Sequence, residues 1–396
     1  MAVVTVALVA SFGLVACGDD DKPKPATAAA KGVQKPAEPA PLATLRLTPA
    51  SGTKNAPIST EIGVKLSGGT VTAVSLKDRA GRTVAGTLRD DGSAWVPSRP
   101  LRIKQAYVAT VTAANATGQT TTATTRFSTM GATGRHTGTG LYLFDGRTYG
   151  VAMPVVAEFS PGVRKANRAT VQKRMFVRTD PPQPGTWSWT SSGTQAYYRG
   201  PAYWKPGTKI TVRLAVAGLP TGGGRYGDQD RSATATIGRS FVMKVENRTK
   251  KMTVVKDGRT VRTMAVSLGK PSTPSSSGTM VIMDKATSTI FDTTDTDGAK
   301  GYKMTIAYAQ RLTWSGQFIH SAPWSVGAQG HRNVSHGCVN LSPSNARWLF
   351  GETLIGDPIT VTGTSDKLAY GNGWTPWNVS WKEFAKGSAL PVPDIS

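Results

Sequence analysis

Cysteine and histidine are scarce in this chain of 396 residues, which contains two cysteines and four histidines. Cys17 follows the apolar N-terminus, and Cys338 lies far from it in the sequence. Two such cysteines cannot supply the network of disulfides that holds small secreted domains together. Three of the four histidines lie with Cys338 in residues 319–340, a segment interrupted by Gly and Pro. The reactive side chains are therefore concentrated in one place.

Acidic residues are also few: 24 Asp and Glu face 47 Lys and Arg, which gives a formal charge of +23. The positive charge is spread along the chain, so we expect an anionic partner. Zinc-finger spacings, aromatic RNA-binding strands and basic helices with heptads are not found in the sequence, which argues against nucleic acid. An anionic cell envelope is the expected partner.

The apolar run at the N-terminus, Met1 to Ala16, is shorter than the roughly 20 residues that a spanning helix needs. Its length suits the core of a signal peptide. The following Leu14-Val15-Ala16-Cys17-Gly18 resembles the lipobox of bacterial lipoproteins, so we expect a lipid on Cys17 that anchors the chain to the outer face of the cell membrane. A chance apolar N-terminus with an unmodified Cys17 is the alternative. Because no Lys or Arg precedes the run, we expect the natural start to lie further upstream.

The composition favours strands and turns over long helices, with 43 Gly, 25 Pro and 18% charged residues. The length suits two to four domains. Short alternating apolar segments between turn signals predict two tandem immunoglobulin-like β-sandwiches before a third, β-rich unit. We divide the chain into a signal peptide and lipobox (1–17), a disordered linker (18–43), two immunoglobulin-like domains (44–129 and 130–248), a catalytic domain (249–363) and a C-terminal extension (364–396).

Aromatic residues form two groups that we expect to pack rather than to bind ligand. The first is a cluster in the second sandwich: Trp187, Trp189, Tyr197, Tyr198, Tyr203 and Trp204. The second comprises Trp374, Trp377 and Trp381, which should dock the C-terminal extension onto the preceding domains.

Short sequence patterns predict a hairpin, a loop and a helix in the third unit. Asp257-Gly258 between two alternating segments predicts a β-hairpin. The polar stretch from Lys285 to Gly301 predicts a long loop, a possible lid over a site. Ser342-Pro343 predicts a helix start and Gly351 its end, with backbone N–H groups of the first turn directed towards the sulfur of Cys338.

A thiol near histidines points to covalent acyl transfer. Phe318 and His320 should share one face of a strand, with Ile319 on the other. We expect Cys338 to be the nucleophile, its pKa lowered by a nearby imidazolium or helix N-terminus. His320 would be the base and then the acid that protonates the leaving amine, oriented by the hydroxyl or the carbonyl of Ser321.

The same segment offers backbone donors for an oxyanion. The N–H groups around His336, Gly337 and Cys338 could stabilise the negative charge of a tetrahedral intermediate, and Gly337 would allow close approach of the substrate. His331 has no role in this chemistry and should be a loop residue.

Two other interpretations of the segment remain open. His331, His336 and Cys338 could bind a metal, although structural zinc spacings and carboxylates are missing between Ile319 and Asn340. Alternatively, Cys338 could be a buried structural thiol.

His320 followed by Ser335-His336-Gly337-Cys338-Val339-Asn340 resembles the signature of the L,D-transpeptidases, and the run Ser321 to Ser325 with Ser342-Pro343 resembles actinobacterial members. The resemblance implies a β-rich catalytic fold with a short helix after the motif, and cross-linking of peptidoglycan stem peptides through a thioester. It implies no metal or cofactor, and acylation by carbapenems.

By position, the resemblance makes His320 the base, Ser321 the third catalytic member, and His336 with Gly337 the oxyanion segment. It further implies that Tyr302, Trp324 and Asn340 contact the substrate. An L,D-carboxypeptidase with the same site and a non-catalytic cell-wall-binding lipoprotein are the alternative functions.

Overall fold

The computed structural model describes residues 41–89, 91–132, 134–292 and 303–392. This part of the chain is mainly β, which confirms the predicted fold class. Within these ranges no helix combines the length and the apolar character needed to cross a membrane. The predictions for Cys17, for most of the linker and for Tyr302 fall outside the described residues.

The first unit is a sandwich of two four-stranded sheets, ordered β1-β3-β6-β5 and β2-β8-β7-β4. Alternate residues of strands such as β7 point inward, so that Tyr107, Ala109 and Val111 are buried between the sheets. Its strands are β1 (Thr44–Thr48), β2 (Thr53–Ala56), β3 (Ile62–Ser67), β4 (Thr70–Asp78), β5 (Gly86–Leu88), β6 (Ala94–Pro97), β7 (Ala106–Ala114) and β8 (Thr120–Thr129).

The second unit combines a sheet ordered β10-β18-β15-β12 with one ordered β13-β14-β11-β9-β17-β16. It also contains a helix, α1 (Lys165–Gln172), that the sequence did not predict. Its strands are β9 (Arg135–Leu141), β10 (Thr148–Tyr149), β11 (Val155–Ser160), β12 (Met175–Asp180), β13 (Thr186–Trp189), β14 (Gln195–Arg199), β15 (Lys209–Leu214), β16 (Pro220–Gly222), β17 (Arg225–Gly227) and β18 (Arg231–Ile237).

The aromatic cluster of this second unit is packed, as predicted. Trp187, Tyr197 and Trp204 are buried in its core. Their polar ends are satisfied inside the protein: the Trp187 indole donates to the Met175 carbonyl at 2.9 Å, and the Trp204 indole to the Met153 carbonyl at 2.7 Å. A buried indole N–H without such an acceptor would cost stability.

The third unit joins a six-stranded sheet, ordered β21-β20-β19-β27-β22-β28, to a four-stranded sheet ordered β23-β24-β25-β26. Its elements are β19 (Phe241–Glu246), β20 (Lys251–Lys256), β21 (Arg259–Ala265), β22 (Ser276–Val281), β23 (Asp284–Asp292), β24 (Lys303–Arg311), β25 (Phe318–Ser321), β26 (Val339–Leu341), α2 (Pro343–Glu352), β27 (Pro358–Thr362), β28 (Asp366–Lys367) and α3 (Trp381–Ala385).

Strand β19 lies in the third unit, although the sequence placed its residues at the end of the second. It pairs with β20 on one side and with β27 on the other. Phe241, Met243 and Val245 are thereby buried in the core of the third unit. The pairing with β27, more than a hundred residues away, has no local signal in the sequence.

The predicted hairpin is confirmed, whereas the described part of the predicted long loop is a strand. Asp257 and Gly258 both have positive φ, as the two-residue turn between β20 and β21 requires. Lys285 to Asp292 lies instead within β23, paired antiparallel with β24, and residues 293–302 are outside the described part. The strand reads as polar because most of its side chains are exposed or half-buried.

Helix α2 begins where the sequence predicted and ends slightly later. The Ser342 hydroxyl accepts from the Asn345 N–H at 3.4 Å, and Pro343 is the first helical residue. Gly351 does not end the helix, which continues to Glu352. The Thr353 hydroxyl, bonded to the Leu349 carbonyl at 2.9 Å, completes its last turn.

The C-terminal part of the chain contacts both the third and the second unit. Trp374 is buried, and its backbone N–H lies 3.1 Å from the sulfur of Met283 in the third unit. The Trp377 indole donates to the Ala152 carbonyl of the second unit at 2.7 Å. Arg199 stacks against Trp377, with its guanidinium carbon 4.6 Å from the ring centre.

Candidate active site

A cleft of about 330 Å³ opens at the four-stranded sheet of the third unit. Larger clefts lie against the first sandwich and on the second unit, but none of these has a cysteine or a histidine in its lining. The smaller cleft therefore contains the candidate chemistry. Its lining comprises Phe291, Met304, Ile306, His320, Trp324, Val334, Ser335, His336, Cys338 and Asn340.

Strands β25 and β26 place the main side chains of the cleft. They run parallel, with His320 opposite Asn340 in the register. Phe318 shares a small apolar cluster with Cys338, whereas Ile319 points into the main core of the unit. The predicted alternation is thus confirmed, and it directs His320 into the cleft.

The imidazole of His320 has a defined tautomer. Its Nδ1 lies 2.8 Å from the backbone oxygen of Ser321, and because a carbonyl can only accept, Nδ1 carries the proton. Of the two ways in which Ser321 could orient the ring, the structure shows the carbonyl. Burial lowers the pKa of His320, partly opposed by this contact, so the ring is neutral at neutral pH with a lone pair on Nε2.

Aromatic rings flank His320. Phe291 meets the imidazole edge-on at 5.4 Å between ring centres, and Trp324 lies nearly parallel to it at 6.0 Å. Trp324 follows in a single 3-10 turn, Pro323–Ser325, and is 54% exposed. It therefore offers an apolar surface at the mouth of the cleft.

The thiol of Cys338 is buried and protonated. Burial raises its pKa to about 11, with the Phe318 backbone N–H acting in the opposite direction. The thiol also donates a hydrogen bond to the Gly316 carbonyl at 3.8 Å. The expectation of a lowered pKa is wrong because burial disfavours the charged thiolate and because His320 is itself neutral, so that no imidazolium stabilises the thiolate.

The Ser335 hydroxyl fixes the backbone around Gly337. It accepts from the Gly337 N–H at 3.1 Å and donates to the Cys338 carbonyl at 2.7 Å. The Gly337 N–H is therefore already engaged, which corrects its expected part as an oxyanion donor. Gly337 is required for its conformation, since its φ of 118° is disfavoured for other residues.

His336 and His331 both lie at the surface. His336 lines the rim of the cleft, with its Nε2 2.8 Å from the Lys270 ammonium. His331 is exposed in a turn, as predicted. In the described ranges, no three His, Cys, Asp or Glu side chains are arranged to hold a metal ion.

Asn340 is a buried amide at the inner wall. Its Nδ2 donates to the Ser325 hydroxyl at 3.2 Å. Its Oδ1 is buried and accepts no hydrogen bond from the described residues. A buried oxygen without a donor is costly, and Asn340 is one of the residues that line the cleft.

Several lining residues were missed by the sequence analysis. Phe291, Met304 and Ile306 come from the hairpin of β23 and β24. Gly316, in the turn before β25, does not line the cleft but accepts the hydrogen bond of the Cys338 thiol. The alternation of apolar residues on the hairpin was the available signal for the first three. Nothing in the local sequence marks Gly316.

Two parts of the chain match known families. Residues 53–220 match a bacterial Ig domain, and residues 240–361 match an L,D-transpeptidase catalytic domain. The chain is 32% identical to L,D-transpeptidase 2 of Mycobacterium tuberculosis over 96% of its own length and 92% of that protein. It is 34% identical to L,D-transpeptidase 5 of the same species, over 92% of this chain and 80% of the relative.

A solved LD transpeptidase in complex with imipenem is 33% identical, and covers 58% of this chain and 99% of its own, with a TM-score of 0.48. The matches and the site together define a bacterial acyltransferase with Ig-like and catalytic domains. The chain belongs to the L,D-transpeptidase family, as its histidine and cysteine motif indicated.

Proposed function

We propose that the chain cross-links peptidoglycan stem peptides through a thioester on Cys338. The observation that carries this proposal is the shared cleft of Cys338 and His320, in which the imidazole is neutral and keeps a lone pair on Nε2. The membership in the L,D-transpeptidase family supports the same chemistry.

In the first half-reaction, the Cys338 sulfur attacks the carbonyl carbon of diaminopimelate, the third residue of a donor tetrapeptide. The thiol proton passes to Nε2 of His320 as the carbon–sulfur bond forms. The tetrahedral intermediate then collapses, the peptide bond to the terminal D-Ala breaks, and His320 returns the proton to the leaving amine. The products are free D-Ala and an acyl-enzyme.

In the second half-reaction, the side-chain amine of diaminopimelate on a neighbouring stem attacks the thioester. His320 removes a proton from this amine and returns it to the departing sulfur, which restores the thiol of Cys338. The new amide is a 3→3 cross-link. If water replaced the amine, the enzyme would be an L,D-carboxypeptidase.

The buried, protonated thiol is compatible with this scheme. A neutral thiol and a neutral imidazole avoid the cost of holding two charges in an apolar cleft. Charge develops only as the sulfur attacks, when the oxyanion forms beside the backbone N–H groups of the motif. Because the Gly337 N–H is engaged by Ser335, the remaining donors are the N–H groups of His336 and Cys338.

Substrate contacts follow from the cleft. Asn340, which lines the cleft, would contact the stem peptide, and Trp324 would cover the bound peptide. The charge of +23 suits an anionic envelope. A lipid on Cys17 would hold the enzyme at the outer face of the cell membrane, and the linker would extend it towards the wall.

The proposed domain division keeps two immunoglobulin-like units before the catalytic unit, with the last boundary moved to just before Phe241. Strand pairing of Phe241–Glu246 with β27 supports this change.

An intact-mass measurement tests the proposal. Residues 42–396 are incubated with a carbapenem, and we expect one adduct on the wild type and on His331→Gln, but none on Cys338→Ala and slow formation on His320→Gln. A wild type without an adduct, or an adduct that persists in Cys338→Ala, would refute it. A tetrapeptide donor with an amine acceptor then separates cross-linking from hydrolysis.

A further inference from the structure

The loop from Gly269 to Ser275 packs directly on the segment that carries the nucleophile. The backbone N–H of Lys270 donates to the Ser335 carbonyl at 2.9 Å, and the Thr273 hydroxyl reaches the same oxygen at 3.3 Å. In return, the Ser335 N–H donates to the Leu268 carbonyl at 3.0 Å. The loop therefore holds the start of the motif in place.

Ser275 makes the contact closest to Cys338. Its side chain is buried, accepts the Gly269 N–H at 2.9 Å and donates to the Gly337 carbonyl at 2.7 Å. A Cβ atom at Gly269 would lie 2.1 Å from the Thr273 carbonyl, so the loop can close over this hydroxyl only with glycine there. The Ser275 hydroxyl is thus a fixed bridge between two backbone segments.

The bridge acts on one peptide unit. The Gly337 carbonyl and the Cys338 N–H belong to the same planar peptide, and in a trans peptide they point in opposite directions. Holding the carbonyl on Ser275 therefore turns the Cys338 N–H away from Ser275. Ser275 does not line the cleft, whereas Cys338 does.

We propose that Ser275 is a positioning residue of the reaction, which aims the Cys338 N–H at the oxyanion of the acylation intermediate. The proposal rests on the function proposed above. Ser335 fixes the peptide units before and after the Gly337–Cys338 peptide, because its hydroxyl accepts from the Gly337 N–H and donates to the Cys338 carbonyl. The two serines together hold three successive peptide units, so the oxyanion donor is aligned before substrate arrives.

Two reactions of the Cys338 thiol distinguish a positioning role of Ser275 from a general effect of Ser275 on the stability of the fold. Acylation by a carbapenem passes through a tetrahedral oxyanion, whereas alkylation by iodoacetamide is a direct displacement at a CH₂ carbon without one. Removing one oxyanion donor costs about 10²- to 10³-fold in rate, and a misaligned donor should cost part of that. We expect Ser275→Ala to slow acylation by about tenfold or more while alkylation stays within about twofold.

Ser277→Ala is the matched control two residues further along the chain, because its hydroxyl contacts Thr364 instead of the motif. Its ratio of acylation to alkylation rates should equal that of the wild type. A second pair, Ser275→Thr and Ser275→Val, compares near-isosteric side chains with and without a hydroxyl. We expect the threonine variant to keep the wild-type ratio and the valine variant to lose it.

Equal loss of both rates in Ser275→Ala, or equal ratios for the threonine and valine variants, would overturn the proposal. If the alanine variant does not fold, the threonine and valine pair decides. Failure of the proposed function is distinguishable, because the wild type itself would then form no carbapenem adduct.

Discussion

The Nδ1 atom of His320 lies 2.8 Å from the carbonyl oxygen of Ser321, the residue that follows it. The chain thus orients its base through its own backbone carbonyl. This arrangement leaves Nε2 free to accept the thiol proton, and it makes the Ser321 side chain dispensable for that task.

We therefore predict that Ser321→Ala changes the rate of carbapenem acylation by no more than about threefold, since the carbonyl remains. His320→Gln should lower it by about 10²- to 10⁴-fold, because the proton acceptor is lost. Stopped-flow or mass-resolved acylation rates would measure both. A Ser321→Ala defect as large as that of His320→Gln would show that the hydroxyl takes part.

The pH dependence of thiol alkylation follows from the burial of Cys338, which raises its pKa to about 11. The thiolate fraction then increases about tenfold for each pH unit below that value, so the logarithm of the iodoacetamide rate should climb steadily from about pH 6 to pH 10. Mass spectrometry at each pH measures the rate. A plateau between pH 6 and pH 8 would instead indicate a preformed thiolate–imidazolium pair.

Acylation should depend on pH in another way, because it uses neutral His320. Burial lowers the pKa of His320 below its ordinary value, so the neutral base is present at and above about pH 6.5. The acylation rate should fall as the pH drops through the lowered pKa. A rate that fell already between pH 8 and pH 7 would contradict the neutral imidazole.

A buried ion pair supports the third unit. Both oxygens of Asp357 accept from the Arg239 guanidinium, at 3.0 and 2.9 Å, and one of them also accepts the Leu354 N–H at 2.7 Å. Arg239→Met leaves the carboxylate buried and unpaired, and should lower the free energy of unfolding by about 3–5 kcal/mol at pH 8. Lys256→Met, which breaks the half-exposed pair with Glu352, is the control and should cost about 1 kcal/mol or less.

The decrease in the free energy of unfolding of Arg239→Met should depend on pH. Burial raises the pKa of Asp357 to about 6 even with Arg239 present, and removing Arg239 raises it further. A carboxyl whose pKa is higher in the folded state contributes stability at low pH that is lost as the pH rises through the folded value. The variant should therefore be more stable near pH 5 than near pH 8 in urea unfolding, and the opposite trend would contradict this environment.

Substitution of Trp324 should weaken substrate binding with little effect on the stability of the fold. The ring is 54% exposed and stacks on His320, so Trp324→Ala should change the free energy of unfolding by about 0.5 kcal/mol or less. We expect KM for a tetrapeptide donor to rise several-fold, with a smaller change in kcat. Trp314→Ala, which removes another exposed tryptophan outside the lining of this cleft, is the control. Equal effects of the two substitutions would argue against a substrate contact by Trp324.

Local chemistry made much of the catalytic unit predictable. Asp257-Gly258 specifies its hairpin because both residues must have positive φ, and Ser342-Pro343 specifies the start of a helix through a cap. His320 and Cys338 were identified because their residue types are rare in this chain and their chemistry is specific. The structure brings both to one cleft.

Long-range pairing is what the sequence could not reveal. Strand β19 was placed in the wrong unit because its partner β27 comes at the far end of the domain. The polar strand β23 read as a loop since its stability comes from pairing with β24. Ser275 escaped notice because a serine has no distinctive pattern until the fold places the Gly337 carbonyl beside it.

The packing of Arg199 links the evolution of the second unit to that of the C-terminal extension. This arginine of the second unit packs against three aromatic rings of the C-terminal extension. Its guanidinium carbon lies 4.6 Å from the ring centre of Trp377, 5.5 Å from that of Trp381 and 4.4 Å from that of Phe384. A recombination event that replaced the second unit with another sandwich would remove Arg199 and leave these rings without their partner. This would happen even though the exchanged segment is distant in sequence from the extension. The second unit and the end of the chain should therefore be retained together in evolution.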